Sequence, residues 1–156
     1  MSCSVPILLG SDSESTSMIN QSRAAADAKH VLLVVDDDAA VRSSLKFLAE
    51  IEGFEVHTYS SARKLLNEDS LPASSCLVTD YHMPEMNGLE LVAELRQRHL
   101  LMPAILITSP ANDALRHRAA AAGAPIFEKP LFGTRLLDFV REAFDGQPPS
   151  AIAANP

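Results

Sequence analysis

Tryptophan is missing from this 156-residue chain, cysteine occurs only twice, and no apolar run approaches the roughly 20 residues that a membrane-spanning helix needs. The last absence argues for a soluble protein without membrane insertion. Cys3 and Cys76 form no metal or redox spacing, and the N-terminus lacks a basic leader followed by an apolar core, so a reducing cytoplasm is the expected setting. Positive charge is scarce as well: 13 Lys and Arg face 20 Asp and Glu, for a net charge of -7. Such a chain is poorly suited to neutralising phosphates, and no direct nucleic-acid partner is expected. The five histidines, His30, His57, His82, His99 and His117, form no helical pair and do not cluster with cysteine, which argues against zinc.

What is present is ordinary for a globular domain, with 47% hydrophobic and 21% charged residues on a length that suits one domain with its own core. The ends differ from the middle. Residues 1–29 include the polar, aperiodic "GSDSESTSMINQS" and read as a disordered arm. The end, "DGQPPSAIAANP", has a glycine stop followed by paired prolines, so residues 146–156 read as a flexible tail. The domain itself is expected over residues 30–145. Neither end offers the apolar content of a second folded unit, which leads to the expectation of a stand-alone domain acting through a docked protein partner.

Short apolar runs rich in β-formers occur at "VLLVV" (31–35), "EVHTY" (55–59), "CLVTD" (76–80), "AILIT" (104–108) and "PIFE" (125–128). Each is followed by a helical pattern. Val41, Leu45, Leu48 and Ile51 fall at helical spacing before Gly53, and a shorter segment after Ser61 carries Leu65 and Leu66. Leu91, Val92 and Leu95 follow Gly88; Leu115, Ala119 and Ala122 precede Gly123; Leu136, Leu137, Val140 and Phe144 mark the last helix. Five strands alternating with five helices require crossover connections and hence parallel pairing. Nearly continuous apolar strands place helices on both faces. The expected fold is a doubly wound α/β domain, and in the order 2-1-3-4-5 the topological switch falls between the first and third strands.

Polar residues then stand out by position, since ligands of open parallel sheets bind beyond the carboxyl ends of the strands. Asp36 and Asp37 end the first strand, Asp80 the third and Thr108 the fourth, and Lys129 follows the fifth. All should meet on one rim. Two carboxylates about 4 Å apart repel by about 4 kcal/mol at an effective dielectric of 20, and Lys129 alone cannot neutralise three of them. Either one is protonated through a raised pKa or a divalent cation sits among them. A set of hard oxygen ligands favours Mg²⁺ over Zn²⁺. Asp36 and Asp37 are then a cation seat, whereas Asp38 is placed to cap the following helix.

The stretches "LLVVDDDAAVR", "CLVTDYHMPEMNGLELV", "AILITS" and "FEKPL", in this order and spacing, resemble the receiver domain of two-component response regulators over about residues 30–145. The resemblance implies the flavodoxin-like receiver fold and a phosphoacceptor function. Asp80 would be the phosphoacceptor, Asp36, Asp37 and Asp80 would hold Mg²⁺ together with the backbone carbonyl of His82, and Thr108 and Lys129 would contact the phosphoryl group. It further implies a histidine kinase or histidine phosphotransfer protein as donor and a downstream protein target. The chain would modify and demodify itself only, and would not be an enzyme acting on other substrates.

Two features depart from the family pattern. The position three before the lysine, usually aromatic in receivers, is Ile126, with Phe127 next to it, and Pro110 restricts the loop after Thr108. With no ring to swing at 126, a phosphoryl signal is expected to move the 109–113 loop and the helix after it. Pro84 and Gly88 are expected to shape the sharp loop after Asp80. Two other classes stay open. A binding-only pseudo-receiver would use the same fold as a scaffold, and a haloacid-dehalogenase-like phosphohydrolase would read Asp36 and Asp38 as a D-x-D pair with Asp36 as nucleophile.

Overall fold

A computed structural model describes residues 29–146. The expectations for the arm before residue 29 and the tail after residue 146 lie outside these residues. Five strands, β1 (Val31–Val35), β2 (Glu55–Tyr59), β3 (Ser75–Asp80), β4 (Ala104–Thr108) and β5 (Ile126–Glu128), form one parallel sheet in the order β2-β1-β3-β4-β5. They alternate with five helices: α1 (Ala39–Ile51), α2 (Ala62–Leu66), α3 (Gly88–Gln97), α4 (Asp113–Ala121) and α5 (Arg135–Phe144). Every residue of β1, β3 and β4 is buried. That burial explains why these strands read as unbroken apolar runs rather than alternating ones.

The strand period of two sends successive side chains to opposite faces, and each face has its own core. Leu33, Val35, Leu77 and Leu106 meet Leu65 of α2, Leu91, Val92 and Leu95 of α3, and Leu115 and Ala119 of α4. Leu32, Val34, Val78, Ile105 and Ile107 meet Leu45 and Ala49 of α1 and Leu136, Leu137, Phe139 and Val140 of α5. The doubly wound arrangement read from the sequence is thus present.

Helix starts follow local chemistry. Asp38 accepts the backbone N–H groups of Ala40 (2.8 Å) and Val41 (3.3 Å) at the start of α1, Ser61 caps α2 and Asn112 caps α4. Asn87 and Glu90 form a reciprocal capping box that starts α3.

Two expectations from the sequence are corrected. On α1 the buried positions are Leu45 and Ala49, while Leu48 and Ile51 are exposed. Phe54, just beyond Gly53, is buried in the same core instead. The sharp loop after β3 is made by Glu85, which takes a left-handed conformation (φ 68°), rather than by Gly88, which already begins α3. Gly88 has a different purpose. A Cβ there would lie 2.6 Å from the Asp80 carbonyl oxygen and 2.8 Å from Leu106 Cδ2, so only glycine lets α3 approach the end of β3 this closely.

Candidate functional site

The carboxyl ends of β1, β3, β4 and β5 form one rim, and the polar residues singled out in the sequence lie there. Carboxylate oxygens of Asp36, Asp37 and Asp80 are all within 4.8 Å of one another. Asp36 and Asp80 are buried, at 2% and 5% exposure, whereas Asp37 faces solvent. Lys129 Nζ stands 3.1 Å from Asp80 Oδ1 and 3.7 Å from Asp36 Oδ2, so one ammonium bridges the two buried acids.

The loop after β1 shows how the three aspartates divide their tasks. Asp36 Oδ1 accepts the Asp38 backbone N–H at 2.8 Å, and Asp38 turns its own carboxylate to the start of α1. Arg42, one turn into α1, reaches back to donate to the Asp36 backbone carbonyl at 2.6 Å. Sequence reasoning did not single out Arg42. Its signal is positional, a cation on the first turn of the helix that leaves the acidic loop.

Burial pushes the Asp36 carboxyl above the ordinary carboxylate range; the Asp80 and Asp37 charges add to this, and the Asp38 amide and Lys129 offset it only in part. Lys129 moves upward too. Burial alone would lower it, but the hydrogen bond to Asp80 and the charges of Asp80 and Asp36 outweigh that. The charge is therefore incompletely balanced: three carboxylates share one lysine.

Two buried polar atoms of the rim have no hydrogen-bond partner, Asp36 Oδ2 and Thr108 Oγ1. Unpaired buried groups of this kind are costly and rare in folded proteins. The donor set of clustered carboxylate oxygens, one of them orphaned, fits a hard divalent cation such as Mg²⁺, with the exposed Asp37 on the side open to water. The orphaned hydroxyl of Thr108 is free to donate to an incoming oxygen.

His82 lies two residues beyond Asp80. Its side chain is exposed and stands edge-on to Tyr81 with ring centroids 4.8 Å apart. The Lys129–Pro130 peptide is cis. Lys129 also donates its backbone N–H to the Thr108 carbonyl at 2.8 Å, which ties the end of β5 to that of β4. Glu128 was missed by sequence reasoning. Its carboxylate accepts the Ala111 backbone N–H at 3.1 Å and pairs with Arg116 of α4. An acid directly before the lysine, on a strand otherwise apolar, is the signal that could have flagged it.

The facing of Phe127 is settled by the strand register. Ile126, beside Leu106, packs against the core of α2, α3 and α4. Phe127 points to the other face and stands edge-on to Phe139 of α5 at 5.5 Å between centroids. The aromatic residue therefore lies on the opposite side of the sheet from Ile126.

The response regulator receiver domain family matches residues 32–141. Among characterised proteins, the response regulator protein TodT of Pseudomonas putida is 34% identical over 122 residues, covering 78% of this chain and 54% of that protein. The transcriptional regulatory protein FixJ of Bradyrhizobium diazoefficiens is 35% identical over 123 residues, covering 77% and 59%. The chain thus spans somewhat more than half the length of these curated relatives. The crystal structure of FixJ-N superposes with a TM-score of 0.68 at 32% identity, covering 75% of this chain and 94% of that one. A CheY-like receiver domain protein of Methanospirillum hungatei superposes with a TM-score of 0.70 at 29% identity, covering 77% and 97%. With its sheet order, its acidic rim and more than two thirds of its length accounted for by that match, the chain belongs to the response regulator receiver domain family of two-component signalling.

Proposed function

We propose that Asp80 accepts a phosphoryl group from a phosphohistidine on a histidine kinase or histidine phosphotransfer protein, and that the modified domain signals through a docked protein target. The observation that carries this reading is the joining of three carboxylates, one lysine and an unpartnered threonine hydroxyl on a single rim. An Asp80 carboxylate oxygen attacks phosphorus, the new O–P bond forms as the N–P bond to the donor imidazole breaks, and the departing imidazole keeps the electron pair and takes up a proton from water. Asp36, Asp37 and Asp80, with the backbone carbonyl of His82, would hold Mg²⁺, which supplies charge withdrawal from the phosphoryl oxygens.

Lys129 contributes the remaining positive charge and holds Asp80 in place through its ion pair. Thr108 donates its hydroxyl to a phosphoryl oxygen. Asp38 and Arg42 keep the β1–α1 loop in the conformation that turns Asp36 inward. The domain acts on itself alone and turns over no other substrate. Intact-mass measurement after incubation with acetyl phosphate tests the proposal: one phosphoryl group is expected with Mg²⁺ present, none without it, and none on Asp80→Asn. Equal labelling of that variant would overturn the assignment. Turnover through Asp36 would mark a phosphohydrolase instead, and no labelling a binding-only scaffold.

A further inference from the structure

We propose that Glu128 is a clasp that holds the β4–α4 loop and α4 against the end of β5, and that occupation of the phosphoryl site must open it. The proposal rests on the receiver reading above and adds to it a route by which the signal leaves the rim.

The clasp converges on a single atom. Glu128 Oε1 accepts both the Ala111 backbone N–H and the guanidinium of Arg116, so one carboxylate oxygen joins the 109–112 loop and the first turns of α4 to β5. Glu128 pairs in register with Thr108, and Lys129, the next residue, is bonded to Thr108 through its backbone and to Asp80 through its side chain. Thr108, Glu128 and Lys129 therefore form one mechanical unit. A phosphoryl group brings roughly -1.5 to -2 charges and three acceptor oxygens to Asp80. The unpartnered Thr108 hydroxyl and the Lys129 ammonium are the groups it draws inward. Glu128, paired with one and bonded in sequence to the other, then cannot keep its place relative to a loop that Pro110 stiffens.

Other routes are weaker. On the face of β5 shared with Leu106, the side chains are Ile126 and Glu128, and isoleucine, branched at Cβ, has little rotameric freedom. Phe127 is on the opposite face against Phe139. The strength of the clasp also suits a switch. Its ion pair is about one third exposed on both sides (34% and 37%), and pairs so accessible to water are opened at little cost.

Hydrogen exchange and beryllofluoride binding, each on the whole chain with Mg²⁺, test the proposal. In the unmodified protein Glu128→Gln should speed exchange at Ala111 and in the first turn of α4 while leaving β1 and β3 unchanged. Because the clasp no longer opposes the occupied state, the same variant should bind beryllofluoride about three- to tenfold more tightly, the effect of losing one charge-assisted contact. Arg116→Gln should give a smaller gain, and the double variant should match Glu128→Gln alone, since both act through the same oxygen. Faster exchange with unchanged or weaker beryllofluoride binding would reduce Glu128 to a purely structural contact and overturn the proposal. Failure of the unaltered protein to bind beryllofluoride at all would instead refute the phosphoryl-site reading, and the coupling with it.

Discussion

The strands and the rim at their carboxyl ends are built on opposite rules. Within the sheet, Leu32, Leu33, Val34, Leu77, Ile105 and Leu106 are wholly buried among apolar neighbours. One residue beyond β1, Asp36 is as buried as they are, carries a carboxylate, and leaves an oxygen without a hydrogen bond. The first region is where burial adds stability at about 25 cal/mol per Å² of apolar surface; the second uses part of that stability to keep charges close together without enough counter-charge. Concentration of the conflict at one edge singles that edge out as the candidate site, because folded proteins break local rules chiefly at functional sites.

The contrast can be broken most strongly from below. Leu33→Ala removes a fully buried side chain of β1 and should lower stability by about 2 to 5 kcal/mol, read from the urea unfolding midpoint. Any loss of acetyl phosphate labelling should then track the unfolded fraction. Gly88→Ala tests the seam between the two regions. Its methyl group would meet the Asp80 carbonyl at 2.6 Å, so a loss of about 1 to 3 kcal/mol is expected, together with slower labelling at temperatures where the variant is still folded. Unaltered labelling there would show that α3 does not set the position of Asp80.

A change on the rim should have the opposite sign. Asp36→Asn keeps shape while removing one of three crowded carboxylates, and should stabilise the Mg²⁺-free protein, since burial and the neighbouring charges of Asp80 and Asp37 disfavour the charged form of Asp36. Mg²⁺ is expected to stabilise the unaltered protein, and that stabilisation should disappear in the variant. Thermal unfolding with and without Mg²⁺ measures both, and destabilisation without the metal would contradict the crowding argument.

The test with the smallest effect at neutral pH concerns Cys76, buried in β3. Burial pushes its thiol up to about 12 from 9.0, so the folded state keeps the proton that the unfolded state loses first. Stability should therefore decline as pH rises from about 9 towards 12. At pH 8 the thiol should resist iodoacetamide until the protein is unfolded, which peptide mapping can follow.

How much was legible beforehand differs between the same two regions. The alternation of apolar runs with helical patterns specified the strands, their parallel pairing and helices on both faces, because a strand buried on both faces admits almost no polar residue. Asp36, Asp37, Asp80, Thr108 and Lys129 were legible for the complementary reason, as polar residues at the ends of runs that tolerate none. Leu48 and Ile51 were misread as core. Helical spacing states which residues share a face, but which face meets the sheet depends on how the helix packs, and Ala49 and Phe54 took that place.

The sequence by itself determined the element order, the class of fold and the chemistry of the rim, since these follow from residue type and period along the chain. The tertiary structure alone decided that Asp37 is exposed while Asp36 and Asp80 are buried, that Arg42 reaches back to Asp36, that Phe127 faces α5, and that Glu128 gathers Ala111 and Arg116. Each of these depends on side-chain direction across elements distant in sequence. One residue of strand register reverses such directions, and pairing with neighbouring strands, not local propensity, sets that register.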